Sequence, residues 1–236
     1  MPVTLSVVVP IYNELNTWRA LVERVEAVDL GEVRRQLVLV DDGSSDGTRA
    51  QLEAFAAGRP DAIVKFHPVN RGKGAALRTG FAAATGDFVV VQDADLEYDP
   101  RDYPALLEPL RSGQADVVYG SRFLSRTGPR GRLKNYIANR FLTWLSNRTT
   151  GLGLTDMQTC YKVFRREVLA RMELEQDRFG FEPEITAKLA GMGVRVIERP
   201  ISYRPRSVAE GKKVGLKDGL EAIGVILKYR PRRRRP

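Results

Sequence analysis

A mostly parallel α/β sheet flanked by helices is the architecture that this chain of 236 residues predicts. Short Val-rich runs alternate with helical patterns of about ten residues through the first half, the rhythm of a parallel sheet. Polar clusters at 12–14, 41–44 and 93–97 each follow a predicted strand, so they belong on one edge of that sheet. The composition, 43% hydrophobic and 28% charged, is that of an ordinary globular protein.

Residues 5–9 form the first apolar run, followed by a helical pattern over 17–28. The run 36–40 reads as the second strand. A helix starting near Ser45 or Asp46, both good N-cap residues, runs to Ala57. A short strand over 62–66 precedes an Ala-rich helix over 74–84. Residues 88–92 form the next strand, 104–111 a helix and 116–119 a further strand. The second half differs. After the loop signal Gly128-Pro129-Arg130-Gly131, residues 132–145 place Leu133, Tyr136, Ile137, Phe141, Trp144 and Leu145 on one helical face, flanked by Arg132, Lys134, Arg140 and Arg148. A second stripe, Leu216, Leu220, Ile223 and Leu227, leads into a tail over 228–236 that holds six basic residues. Each helix could pack on the sheet or lie on a membrane surface; two stripes and a polybasic end together favour a peripheral membrane protein.

The net charge of +9 is compatible with an anionic bilayer or nucleic acid. Zinc-finger spacing and an aromatic RNA-binding signature are missing, so nucleic acid is not expected as a partner. A single cysteine, Cys160, allows no internal disulfide and fits an intracellular compartment. The amino terminus does not read as a signal peptide, and no apolar run is long enough to span a bilayer.

The acids of Gln92-Asp93-Ala94-Asp95-Leu96-Glu97 carry the chemistry. Asp93 and Asp95, at i and i+2 of an extended segment, point to the same side. Two hard oxygen donors there can hold Mg²⁺ or Mn²⁺, which in turn can hold a diphosphate. The segment 70–74 lacks P-loop spacing, which rejects a P-loop ATPase, and no GxGxxG follows the first strand, so a dehydrogenase is not expected. Receiver domains also gather acids at strand ends with a lysine nearby. They are about half this length, and the carboxyl half has no place in them.

Eight motifs occur in order: Val8-Val9-Pro10-Ile11-Tyr12-Asn13-Glu14, then 41–48, 70–74, 93–95, 120–122, 156–162, 179–184 and 206–213. Together they resemble the family 2 inverting glycosyltransferases, and within them the polyprenol-phosphate sugar synthases, over nearly the whole chain. The resemblance implies a GT-A nucleotide-sugar-binding fold. A single domain over 1–227 follows, with a nucleotide-sugar half at 1–127, an acceptor and membrane-facing half at 128–227, and a disordered basic tail at 228–236. It also implies transfer of a hexose from a nucleotide sugar to a polyprenyl phosphate. GDP-mannose is favoured as donor, with UDP-glucose, or a soluble glycan acceptor, as the alternatives.

By resemblance, Pro10, Tyr12 and Glu14 border the nucleoside, and Asp41 and Asp42 face its base or ribose. Lys73 contacts phosphate, with Ala94 between the donor-site acids. Asp93, Asp95 and Glu97 surround the metal. Arg122, Arg206 and Lys212 pair with phosphates, and Asp95, Arg122 and Arg206 carry the catalysis. A lipid phosphate is already ionised and needs no base, so Glu182 and Glu184 are assigned to positioning. With a soluble acceptor, Glu184 would become the base. His67 is expected to be structural. The enzyme is expected in the cytoplasm, peripherally associated with the inner face of the membrane, docked by its own helices and tail or by a separate membrane-embedded partner.

Overall fold

The structure, a computed structural model, describes residues 3–124, 133–206 and 216–231. Among the described residues seven strands form one sheet: β1 (Thr4–Ile11), β2 (Arg34–Asp41), β3 (Ile63–Phe66), β4 (Phe88–Val91), β5 (Val117–Ser121), β6 (Lys162–Arg165) and β7 (Val196–Pro200). Their order is β3-β2-β1-β4-β6-β5-β7. Only β6 runs against the rest, antiparallel to both β4 and β5. The other pairings are parallel. Because β6 lies between β4 and β5, both halves of the chain build the same sheet.

The central strands are buried because their residues are apolar on both faces, as a sheet covered by helices requires. Val7, Val8, Val9, Val38, Leu39, Val90 and Val91 are inaccessible or nearly so, and burying each stabilises the fold by about 1.5–3 kcal/mol. Helix α1 (Trp18–Glu26) buries Trp18, Leu21, Val22 and Val25, the i, i+3, i+4, i+7 stripe its sequence sets out. Helices α2 (Thr48–Gly58), α3 (Lys73–Ala83) and α4 (Tyr103–Arg111) complete the first half. The second half adds α5 (Leu133–Thr150), α6 (Arg166–Ala170), α7 (Phe181–Met192) and α8 (Leu216–Lys228). Helix α2 begins at Thr48, later than expected. The Asp46 side chain instead accepts from the backbone N–H groups of Leu15 and Thr48, tying the β1–α1 loop to the β2–α2 loop.

Helices α5, α7 and α8 pack on one another, yet α5 faces the opposite way from an ordinary packing helix. It buries Leu142, Thr143 and Ser146 and turns Tyr136, Ile137, Phe141 and Trp144 outward, with Trp144 56% exposed. Phe141 and Trp144 stack at 6.0 Å. Helix α8 likewise buries Ala222, Val225 and Ile226 and exposes Leu220 (71%) and Leu227. Lys134, Arg140, Arg148 and Lys228 are exposed on the same two helices. Among the described residues no helix is long and apolar enough to cross a membrane. The tail, expected to be disordered from 228, is ordered at its start: the Tyr229 hydroxyl donates to Glu175 at 2.7 Å and Lys228 pairs with Glu175 at 3.2 Å. Residues 232–236 lie outside the described residues.

Candidate active site

The carboxyl ends of β1, β2, β4, β5 and β7 share one edge of the sheet, and the predicted polar clusters meet there. The β1–α1 and β2–α2 loops are cross-linked: Asn13 N–H donates to Ser44 Oγ (3.0 Å), Ser45 N–H to Asn13 Oδ1 (2.9 Å) and Glu14 N–H to Thr48 Oγ1 (3.1 Å). Asn13 adopts a left-handed conformation, which asparagine tolerates better than most residues. Pro10 and Tyr12 are half-buried along this edge, and Ala94 is buried beneath it.

After β4 the chain turns sharply. Asp95 Oδ1 accepts from Glu97 N–H at 3.1 Å, and Leu96 between them has a φ of 61°. A leucine in the left-handed region costs on the order of 1–2 kcal/mol, and such strain clusters at functional sites. The turn carries Asp95 and Glu97 to a common partner, Arg206. The guanidinium lies 2.9 Å from Asp95, 3.1 Å from Glu14 and 3.6 Å from Glu97. The Arg206 backbone N–H also donates to Glu97 at 2.9 Å, and Tyr203 donates its hydroxyl to the other Glu97 oxygen at 2.6 Å. Burial, reinforced by the charges of Asp93 and Glu97 and opposed by Arg206, pushes the Asp95 carboxyl up to about 7.

Asp93 turns elsewhere. Its two oxygens lie 2.9 and 3.2 Å from the ammonium of Lys73, which also pairs with Glu182 at 3.1 Å. Burial opposes charge on both Lys73 and Asp93. The attraction between them outweighs it, holding Lys73 above and Asp93 below its ordinary range. Lys73 was expected on phosphate and is instead shared by two carboxylates. The glycines beside it have a matching purpose: a Cβ at Gly72 would lie 2.4 Å from the Asp177 carbonyl oxygen, and one at Gly74 would lie 2.0 Å from that of Gln176. The chain before α7 makes this close approach.

Others of the expected site residues also find partners within the protein. Asp42 is buried and accepts from Asn70 Nδ2, Arg71 N–H and Gly72 N–H and meets His67 Nδ1, all within 3.0 Å. Both of its oxygens thus anchor segment 67–72. The other ring nitrogen of His67 meets Thr79. Glu184 is fully buried and accepts from the backbone of Glu175 (2.7 Å) and Gln176 (2.8 Å) and from Lys188 (2.7 Å). Its carboxylate thus holds the backbone of 175–176. Arg122 forms a buried two-pronged pair with Asp156, at 2.7 and 2.8 Å, and lies over the Tyr203 ring. Its carboxylate partner is in the protein, so it stands behind Tyr203. Asp41 is buried, 3.6 Å from Arg49, with one oxygen lacking a hydrogen bond. Lys212 and Lys213 lie outside the described residues.

Among the described residues no three His, Cys, Asp or Glu side chains converge to hold a metal ion. The expected set of Asp93, Asp95 and Glu97 is divided between Lys73 and Arg206. The donor chemistry nevertheless fits a hard divalent cation: carboxylate oxygens only, with Glu14, Asp95 and Glu97 around a single guanidinium. Nothing local in the sequence marks Tyr203 as the partner of Glu97 or Asp156 as the partner of Arg122.

A sheet with this order, bearing acids after β1 and β4 and arginine after β7, has the GT-A fold of nucleotide-sugar transferases. Residues 6–172 match the Glycosyl transferase family 2 model, and the chain belongs to that family of glycosyltransferases. It is 31% identical over 220 residues to an undecaprenyl-phosphate mannosyltransferase of Micrococcus luteus, covering 88% of this chain and 86% of that one. It is 30% identical over 221 residues to a polyprenol monophosphomannose synthase of Mycolicibacterium smegmatis, covering 89% and 80%. Other relatives are longer: the chain spans 34% of glycosyltransferase AglD of Haloferax volcanii. A solved structure of glucosyl-3-phosphoglycerate synthase from Mycobacterium tuberculosis, with Mn²⁺, UDP-glucose and glycerol 3-phosphate, superposes with a TM-score of 0.69 at 26% identity. It covers 97% of this chain and 80% of that one.

Proposed function

We propose that this glycosyltransferase moves a hexose from a nucleotide diphosphate sugar, with GDP-mannose favoured, to a polyprenyl phosphate, inverting the anomeric centre. The observation that carries the lipid acceptor is the outward apolar face of α5 and α8, with Tyr136, Ile137, Phe141, Trp144, Leu220 and Leu227 exposed and basic residues beside them. Such a face suits the surface of an anionic bilayer, where a polyprenyl chain resides. The two relatives named for polyprenyl-phosphate mannose transfer support the same reading.

An acceptor phosphate oxygen attacks the anomeric carbon opposite the leaving group. The new C–O bond forms as the bond to the nucleoside diphosphate breaks, and the electron pair departs with that diphosphate. A phosphate monoester carries most of its second negative charge at neutral pH, so the attack needs no protein base. Glu184, committed to the backbone of 175–176 and to Lys188, fits that economy. Mg²⁺ or Mn²⁺, held by Asp95 with Asp93 and Glu97, would offset charge on the leaving diphosphate. Arg206 supplies a second positive charge at the same place, and fixed charges aimed at a developing anion contribute the largest share of many enzymatic rate gains. Lys73, itself held by Glu182, keeps Asp93 ionised and in place. Separate incubations with GDP-mannose and UDP-glucose test the donor: faster turnover of GDP-mannose is expected, and turnover of UDP-glucose alone would replace mannose by glucose.

A further inference from the structure

Arg206 occupies the place where a cation is most needed. It follows β7 in a segment fastened to the turn after β4: Arg204 N–H donates to the Glu97 carbonyl at 2.8 Å, Tyr203 pairs with Tyr98 as an isolated bridge, and Glu97 receives both Tyr203 Oη–H and Arg206 N–H. From that anchored backbone the guanidinium reaches Glu14 at 3.1 and 3.3 Å and Asp95 at 2.9 Å, and its side chain is only 17% exposed. One positive charge is thus shared by three carboxylates. Asp95 Oδ2, the oxygen it meets most closely, is also an oxygen expected to bind a divalent cation. A hard cation sits about 2.0–2.6 Å from its oxygen ligands, so the guanidinium at 2.9 Å and the ion cannot share that oxygen without strong repulsion.

We propose that Arg206 is the resident counter-ion of Glu14, Asp95 and Glu97 in the nucleotide-free protein, and that it competes with the divalent cation for them. The diphosphate resolves the competition by giving the guanidinium a new anionic partner, for which arginine geometry is well suited. The inference rests on the reading that this edge takes a divalent cation with a nucleoside diphosphate. It makes the two ligands mutually dependent: the metal alone binds weakly, and metal and diphosphate each tighten the other by the same factor. It also assigns Glu14 to the cation side of the site and not to a ribose.

Mn²⁺ binding to the full-length protein, followed by electron paramagnetic resonance with GDP or UDP absent and present, tests this without any turnover. Arg206→Gln is expected to bind Mn²⁺ alone about tenfold more tightly than the parent, the equivalent of one charge-assisted hydrogen bond. The nucleotide should then improve Mn²⁺ binding less in the variant than in the parent. Adding Asp95→Asn to Arg206→Gln should abolish the gain. Equal or weaker Mn²⁺ binding by Arg206→Gln would overturn the competition while leaving the metal reading intact. A gain that survives Asp95→Asn would place the ion elsewhere and overturn it too. Failure of the parent to bind Mn²⁺ even with either nucleotide would overturn the metal reading itself, and the competition with it.

Discussion

Lys73 meets both oxygens of Asp93, at 2.9 and 3.2 Å. The first residue of α3 is thereby joined to the first acid after β4, and Glu182 of α7 holds the same ammonium from the other side. Lys73→Met should leave Asp93 without its cation and with its orientation free. Outer partners of this kind typically carry 10–100-fold of metal affinity or activity, and a loss of that size in kcat/KM is expected. Glu182→Gln, which weakens the grip on Lys73 while preserving shape, should fall between the parent and Lys73→Met. An unchanged kcat/KM in Lys73→Met would show that Lys73 does not support Asp93 in the reaction.

Glu184 separates the two acceptor classes. Its carboxylate accepts from two backbone N–H groups and Lys188 and is fully buried. Glu184→Gln is expected to lower the melting temperature yet retain transfer to polyprenyl phosphate. Removing a true general base costs about 100-fold or more in rate. A loss of that order in the folded variant, with a changed pH profile, would favour a hydroxyl acceptor instead.

The outward face of α5 gives a prediction about the membrane. Replacing Ile137, Phe141 and Trp144 with serine removes exposed apolar groups and touches little of the core. Full burial of such side chains is worth about 1.5–3 kcal/mol each, so co-sedimentation with anionic vesicles should weaken by tenfold or more. Thermal stability should stay close to that of the parent. Unaltered vesicle binding would exclude this face as the docking surface.

Lys162 sets a pH dependence of stability. Its ammonium is buried in β6, donates to the Thr159 carbonyl and lies 4.8 Å from the centre of the Tyr119 ring. Burial is the main influence on it, and it lowers the lysine from 10.5 to about 8. The unfolded chain therefore binds more protons between pH 8 and 10.5, and stability gains from this group as pH rises through that window. Below pH 8 the charged lysine carries a penalty on the order of 3 kcal/mol, which is relieved by pH 10.5. The stability of Lys162→Met relative to the parent, measured by urea unfolding, should accordingly fall by about that amount from pH 7 to pH 10.5. A difference that does not change with pH would show that the lysine is not depressed.

The strands of the first half were legible because each is a short apolar run closed by polar turn residues; β1, β2 and β4 fall within a few residues of their expected bounds. Strand β6 was not legible: Lys-Val-Phe-Arg is four residues with charged ends, and it becomes a strand by fitting antiparallel between β4 and β5. Strand β7, Val-Ile-Glu-Arg-Pro, is an edge strand of half-exposed residues paired only with β5. At the site, the residue types after β1, β2, β4, β5 and β7 were readable, but their partners were not. Asp42 finds its partners 25 to 30 positions away, Arg122 finds Asp156, and Arg206 reaches back to Glu14. Those pairings are products of the sheet order, which local pattern does not encode.

A lipid-phosphate acceptor would carry the transferred sugar into the organic phase, where it can be counted. The protein, Mn²⁺ and sugar-labelled GDP-mannose or UDP-glucose are incubated with and without polyprenyl phosphate, and label is counted in the organic phase. Label is expected in the organic phase only when polyprenyl phosphate is present, and is expected to be lost in Asp95→Asn. Label that stays in water with polyprenyl phosphate present, yet passes to a soluble glycan acceptor, would contradict it.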